Sequence, residues 1–572
     1  MRLISFLTII PSIFLLPCVA SCGKTPVTPS GKDDPTPIVE TIMKGSFDSK
    51  WNRYSEGQKH KGQTDKKLIE KEWKDTLWLG DRAHKQLILW TEEKPVRGIS
   101  VNVSDLNAGG SQISASNISV RYEKYVTGDE HTSTCGKASS RVSVKIADAL
   151  VETPITSFTA TDPLKMWLTV NIPSNAAPGL YTGKIEIRKN EEVLDTYNLS
   201  FLIVNRILPD VSDWKFYLDI WQFPFQLPSL CKKSGKSVEP FGEDYFKLVK
   251  PFYTILADAG QKAITTYIKD GAFGRGQTMV DWKLNKNGGW EFDFTKFDAY
   301  VDFMMSLGID KQIDCFSLYG WDLSIGYLDM NDGQSKRVSY DINDEQYAKI
   351  WNKFLLEFKS HLIAKGWFDK AVLYMDEIPE PQLNSLVSLI KANDPDWKIG
   401  SAGSWYAYSL TEQLYEQAPI ISCTDKSGAQ RVLFYTSCSQ EYPNNYVTKD
   451  NSLAEMSYMA WYALANGYDG FLRWAFDYWY NADPMNAQDG SNAAGDNHFI
   501  YRSSNDFSTC IPIASTRLEI LRDGIQNYEK AMILGRNKFS EVMGLFRYSE
   551  HPDAEKAVSK AEKLLKQLSV TQ

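Results

Sequence analysis

The chain has 572 residues, 43% of them apolar and 13% aromatic, and a net charge of −8. That length buries large cores in two or three domains and argues against disorder beyond the ends. Lys and Arg are spread along an acidic chain, which excludes nucleic acid as a partner, and the 17 Trp and 29 Tyr residues suit stacking on sugar rings as well as ordinary cores.

The N-terminal segment MRLISFLTIIPSIFLLPCVASC places Arg2 before an apolar stretch and small residues before Cys22, the order of a secretory signal rather than of a membrane span. Val19-Ala20-Ser21-Cys22 resembles the lipobox of bacterial lipoproteins. That resemblance implies a signal peptide over 1–21, lipidation of Cys22 and, with no retention signal after it, delivery to the outer membrane, facing the periplasm or the cell surface. The alternative is a soluble secreted protein cleaved nearby. Residues 22–44, rich in Pro, Thr, Ser and Asp, read as a flexible tether, so the membrane is reached through the lipid anchor alone.

Beyond Cys18 and Cys22 the cysteines are Cys135, Cys231, Cys315, Cys423, Cys438 and Cys510, with no C-x-x-C spacing. No metal site is expected from them, and no Gly-rich phosphate loop points to a cofactor. Export permits disulfides, but a chain of this size does not need them, so buried free thiols are expected, with Cys423 and Cys438 the pair close in sequence.

From 45 to 207 short alternating segments (QLILW, ISVNV, SVKIA, WLTVNI, GKIEIR) are separated by turn residues such as Ala177-Pro178-Gly179, the pattern of a β-sandwich domain. Its expected role is support, with independent glycan binding as the alternative. From 208 to 545 strands and helices alternate. Candidate strands are FYLDIW (216–221), KAITTYI (262–268), QIDCFSL (312–318), KAVLYM (370–375), WKIGSA (397–402), RVLFY (431–435), YDGFLRWA (468–475) and HFIY (498–501), the count for a (β/α)8 TIM-like barrel. Residues 546–572 form a charged C-terminal helix, expected to be a solvated packing element.

One helix tests the barrel assignment. In NDEQYAKIWNKFLLEFKSHLIAKG, Tyr347, Ile350, Trp351, Phe354, Leu355, Phe358 and Leu362 share a face, with Asn343 as cap and Gly366 as stop. The strand KAVLYM that follows is apolar throughout, as a parallel strand covered on both faces should be. It ends at Asp376 and Glu377, and Pro379 opens the next helix, with Leu383, Leu386, Val387 and Ile390 on its apolar face. The C-terminal end of a strand is the catalytic rim of such a barrel.

Adjacent carboxylates at that rim pose a chemical question, because like charges disfavour ionising both. Conventional glycosidases place two carboxylates on opposite sides of the anomeric carbon, about 5–5.5 Å apart for retention and about 6.5–9.5 Å for inversion. Sequence neighbours rarely straddle a sugar in that way. They can reach two atoms on one side, which a substrate-assisted mechanism requires: Glu377 protonates the leaving oxygen while Asp376 orients a 2-acetamido N–H, and the substrate's own carbonyl attacks. On these two residues alone, a Lys pair or a cap for the helix opened by Pro379 is an equal alternative.

HLIAKGWFDKAVLYMDEIPEP, LFYTSCSQEYPNN, GYDGFLRWAFDYWYNADP, AGDNHFIY and STRLEILRDGIQNYEKAMIL, with LDIWQFP and WEFDFTKFDAYVDFMMSLGI upstream, resemble successive landmarks of glycoside hydrolase family 123 over roughly residues 40–540. The resemblance implies a β-sandwich followed by a barrel, β-N-acetylgalactosaminidase activity with substrate assistance, and the family's acidic pair at Asp376 and Glu377. Ile378 stands where many relatives carry Arg, HFIYRSSN lacks the usual Pro-Gly, and Phe223 replaces a common polar residue; these departures bear on which sugar is bound.

Further site candidates are Trp474, Tyr435 and Trp221 at strand ends, each equally suited to a core, and Asp496 near the last candidate strand. Arg473 and Asp477 could bind hydroxyls, or form an ion pair with each other or with Glu519. The expected function is a lipoprotein glycosidase removing terminal β-linked N-acetylgalactosamine or a related N-acetylhexosamine from a glycan. One alternative is a conventional glycosidase pairing Glu377 with a distant base such as Asp477, and another is a glycan-binding lipoprotein without turnover.

Overall fold

The computed structural model describes residues 43–571 except 138–140, 321, 405–407, 411, 424–427 and 489. The signal segment, Cys22 and all but the end of the tether lie outside the described residues. The N-terminal region is a pair of β-sheets. One sheet runs in the order Met43–Asp48, Arg82–Thr91, Leu164–Asn171, Ile118–Asp129, Ser143–Val151, Pro512–Ser515, Ile500–Arg502. The other is built around the long hairpin Gly179–Lys189 and Glu192–Ile207. Alternating residues of both, among them Leu87, Leu89, Met166, Leu168, Ile185, Ile187 and Phe201, form a shared buried core, as expected where each strand turns one face inward.

The second region is a parallel barrel whose strands are Tyr217–Ile220, Ala263–Tyr267, Gln312–Phe316, Ala371–Asp376, Lys398–Gly403, Glu416–Pro419, Arg431–Tyr435 and Gly470–Arg473. Seven of the eight junctions are continuous parallel ladders, and the first and second strands meet at the bridge between Leu218 and Gln261, so the sheet is nearly closed. Gly470 is required here, because a Cβ at this position would lie 1.8 Å from the Tyr217 carbonyl oxygen.

One assigned strand moves. HFIY does not enter the barrel: Ile500–Arg502 pairs with Pro512–Ser515 and, through it, with Ser143–Val151 of the sandwich. The missing barrel strand is Glu416–Pro419, unassigned in the sequence because it begins with a carboxylate and ends in proline. Burial of Glu416 is compensated by Arg431 (2.9 Å), Tyr374 (2.9 Å) and Gln312 (3.1 Å). With Asp219 and Asp314, likewise buried, these groups form a polar plug inside the barrel, with Gln312 donating to Asp314 at 2.7 Å. Burial pushes Asp219 up to about 8, with Glu416 adding to the shift, so a neutral carboxyl there avoids a further buried charge beside Glu416.

The helix Glu345–Lys365 buries all seven residues assigned to its inner face and ends at Gly366 with φ 72°, the left-handed stop that glycine favours. Its cap is Asp344 rather than Asn343: the Asp344 carboxylate accepts from the Gln346 N–H at 2.8 Å. The C-terminal helix Ala554–Val570 buries Ala557, Val558, Ala561 and Leu565 against Ala454–Asn466 and Thr516–Leu534, and Ser569 accepts from the Trp78 indole of the sandwich at 2.8 Å.

Candidate active site

A cavity of about 600 Å³ is lined at the C-terminal ends of the barrel strands, the face on which such barrels carry their chemistry. Seven of the eight strands, all but the third, contribute in turn Trp221 and Phe223, then Phe273, then Asp376 and Glu377, then Ser404, Ile420, Tyr435 and Trp474. They stand at the strand ends or on the loops that follow, where Trp221, Phe223, Ile420 and Tyr435 are still packed in the core and turn one side to the cavity.

Asp376 is the last residue of its strand and pairs with Ala402 in register. Glu377 continues the ladder by one hydrogen bond, its N–H donating to the Ala402 carbonyl at 2.9 Å, but takes φ 49°. In a regular strand consecutive side chains point to opposite faces. The left-handed turn at Glu377 breaks that alternation, so both carboxylates line the same cavity. A non-glycine residue in this conformation costs about 1–3 kcal/mol, which the ladder bond and the surrounding wall sustain. Asp376 is half-buried and Glu377 exposed.

Tyr435 grips the second carboxylate: its hydroxyl donates to Glu377 Oε1 at 2.8 Å. Burial, and next the nearby Glu377 carboxylate, hold the phenol well above its ordinary range, so it remains a donor at every physiological pH. The apolar wall is aromatic. Trp474 meets Phe223 edge to face at 5.8 Å, and Trp221 meets Phe316 at 4.9 Å. Phe223, one of the departures from the family pattern, therefore stands in the cavity wall, whereas Ile378 is 3% exposed and belongs to the core.

Arg473 and Asp477 stand differently from expectation. Neither belongs to the cavity wall, and they do not pair with each other. Arg473 is fully buried and bonds Asp496 at 2.5 Å, with a further bond to the Thr436 carbonyl. Glu519 is instead held by Arg82 and Arg121 of the sandwich. Asp496 does reach the cavity, neutralised by Arg473 and held by the Asn492 amide at 3.0 Å.

Asp477 accepts from the Phe223 N–H (2.8 Å) and the Tyr253 hydroxyl (3.1 Å) while 4% exposed. Burial pushes its carboxyl up to about 7. Because the unfolded carboxyl ionises near 3.9, this group's contribution to stability is complete below about pH 4 and is lost as pH rises through about 7. The Asp477→Asn variant should lack that loss, so its Tm relative to wild type should rise between about pH 5 and about pH 8. A Tm difference independent of pH would show that the carboxyl does not titrate there.

Sequence reasoning missed Phe273, Tyr478, Ser439 and Asn492 of the wall. They sit on loops between elements, where no periodicity marks a residue. It also missed a covalent tie: Cys135 and Cys438, 303 residues apart, form a disulfide, correcting the expectation of free thiols for both and the suggested pairing of Cys423 with Cys438. Cys231, Cys315 and Cys510 are free thiols, as expected.

The model of the glycoside hydrolase 123 catalytic domain matches residues 227–534, and that of the glycoside hydrolase 123 N-terminal domain matches residues 47–189. Among solved structures, a family 123 glycoside hydrolase from Clostridium perfringens, studied for glycolipid glycan hydrolysis, is 24% identical over 92% of this chain and 97% of its own, with a TM-score of 0.80. A family 39 glycoside hydrolase from Bacteroides cellulosilyticus WH2 is 11% identical over 74% of this chain and 80% of its own, with a TM-score of 0.32. No curated protein matches the chain. With a sandwich leading into a rim-sited acidic cavity, and with the catalytic-domain model matching more than half of its length, the chain is a glycoside hydrolase and belongs to family 123.

Proposed function

We propose that this hydrolase removes terminal β-linked N-acetylgalactosamine, or a related N-acetylhexosamine, by substrate-assisted retaining catalysis. One observation carries the reading. Among the described residues, the carboxylates lining the cavity are Asp376, Glu377 and Asp496; Arg473 neutralises the last, and the other two are neighbours turned to the same cavity by the φ of Glu377.

The steps follow from that arrangement. Glu377 donates its proton to the glycosidic oxygen as the bond to the anomeric carbon breaks, while the acetamido carbonyl oxygen of the substrate bonds to that carbon from the opposite face. The resulting ring carries positive charge shared with the amide nitrogen, and Asp376 accepts the N–H hydrogen bond and offsets the charge. Glu377, now a carboxylate, takes a proton from water as the water oxygen reopens the ring, which restores the original anomeric configuration. A conventional mechanism with Asp477 as base lacks geometry, because both Asp477 oxygens face protein donors outside the cavity wall.

The choice of N-acetylgalactosamine rests on the family landmarks, and the association of the Clostridium perfringens relative with glycolipid glycans supports a glycoconjugate substrate. Export on a lipid anchor at Cys22 is part of the same reading. Its support is the Cys135–Cys438 disulfide, a bond that persists in oxidising compartments; a lipid label retained by Cys22→Ser chains would remove it. The function is tested by hydrolysis of an aryl β-N-acetylgalactosaminide beside the matching β-galactoside. Turnover confined to the acetamido sugar is expected, and equal turnover of both sugars would exclude substrate assistance.

A further inference from the structure

Among the described residues of the cavity wall, one is not supplied by the barrel. Cys135 comes from the N-terminal region, and its disulfide partner Cys438 lines the same cavity on the loop after the seventh barrel strand. We propose that Cys135 and Cys438 are positioning residues of the active site. Their bond holds a sandwich loop as a fixed part of the wall that receives substrate, so that substrate affinity depends on oxidation of this pair. The inference rests on the reading of the cavity as the glycosidase site.

The loop carrying Cys135 touches the wall at several further points. The Cys135 N–H donates to the Cys438 carbonyl at 2.7 Å, and the Gly136 N–H donates to Asn492 Oδ1 at 3.2 Å. Arg141 Nη2 donates to the carbonyl of Asn492 at 2.7 Å. Asn492 in turn donates to Asp496 at 3.0 Å. The sandwich loop is thus continuous with the polar side of the cavity through Asn492 and Asp496.

The Gly136 bond is exposed and the Arg141 bond only part-buried, so water competes for both. The disulfide is the tie that water cannot replace. Without it the loop populates open arrangements, and apparent affinity falls by the fraction of time the wall is complete. The remaining hydrogen bonds keep that fraction substantial, so the effect is moderate. Asp376, Glu377 and Tyr435 are held by the barrel's own ladder, through Ala402 and Leu472, and the chemical step should be spared.

The experiment compares the full chain as wild type, wild type incubated with dithiothreitol, and the Cys135→Ser/Cys438→Ser double variant. Reduction by the dithiol transfers two electrons and two protons to the disulfide, leaving two thiols and one cyclic disulfide of the reagent. Peptide mapping without reductant should recover the two cysteines in one cross-linked product from wild type.

On an aryl β-N-acetylgalactosaminide, KM should rise about fivefold in the reduced enzyme and in the variant, with kcat within about twofold. Reoxidation should restore the wild-type KM, and dithiothreitol should leave the variant unchanged. Hydrogen exchange should accelerate at 129–137 and 437–445 and nowhere else. An unchanged KM, a fall in kcat at constant KM, or acceleration spread through the barrel would each overturn the proposal, the last by showing a general loss of stability. If wild type turns over no acetamido sugar, the proposed function fails, and exchange alone then decides: equal rates at 129–137 in wild type and variant overturn the positioning role.

Discussion

Replacing Glu377 by Gln should lower kcat about a thousandfold on an N-acetylgalactosaminide with a poor leaving group, because general acid catalysis contributes factors of about 10²–10⁴. Gln is nearly isosteric and still accepts from the Tyr435 hydroxyl that bonds Glu377 Oε1 at 2.8 Å, so the loss reports the missing proton rather than a collapsed wall. The size of the loss should depend on the leaving group. A dinitrophenolate departs without protonation, and its release should slow far less than that of an alkyl alcohol. Asp376→Asn should behave differently, with a loss of about a hundredfold for every leaving group, because the missing charge stabilises the ring formed by the substrate's acetamido group. Steady-state rates of the three proteins on the two glycosides check both statements. A Glu377→Gln loss equal for both leaving groups would remove Glu377 from the role of acid.

The second large effect concerns the junction of the two domains. Arg517, on the helix Thr516–Leu534, is fully buried and pairs with Asp148 of the sandwich at 2.8 Å. The same guanidinium donates to the carbonyls of Asn445 (3.0 Å), Gly495 (3.2 Å) and His498 (2.7 Å), and so holds the loop that carries Asp496 into the cavity. Asp148 also accepts from Tyr501 and Thr516, each at 2.6 Å. Removing one partner of a buried pair strands the other charge, at a cost of about 3–5 kcal/mol, and Arg517→Met should destabilise the protein by that amount.

The pH dependence has a definite sign. Burial alone would raise the Asp148 carboxyl, but Arg517 and Arg53 overrule it and hold it below its ordinary value. A depressed folded pKa contributes stability that is present above the unfolded value near 3.9 and is lost as pH falls toward the folded one. The Arg517→Met deficit should therefore be full at neutral pH and shrink below about pH 4. Urea midpoints of both proteins across this range check it. A deficit that does not narrow in acid would assign Arg517 to packing rather than to charge.

The elements legible in the sequence were those whose burial is written in periodic apolar residues. The helix Glu345–Lys365 shows its whole inner face at intervals of three and four residues, and the strand Ala371–Asp376 announces itself as an unbroken apolar run. Glu416–Pro419 carries no such signal, because its carboxylate is buried against Arg431 and Gln312 from other strands. HFIY carries a strong strand signal but no address, since apolar residues suit a sandwich sheet as well as a barrel. The same limit applied to Arg473, whose partner proved to be Asp496 rather than Asp477 or Glu519.

By itself the sequence determined the order of the two folds, the family, and the position of two adjacent carboxylates at a strand end. These are local properties: patterning, turn residues and motif order survive in a one-dimensional string. Only the tertiary structure decided that Glu377 leaves the strand alternation to join Asp376 on one cavity, that Asp477 turns away from it, and that Cys135 meets Cys438 across 303 residues. Each depends on which distant segments pack together. Such contacts are selected by the closure of the barrel and the docking of the sandwich against it, and neither leaves a periodic trace in the chain.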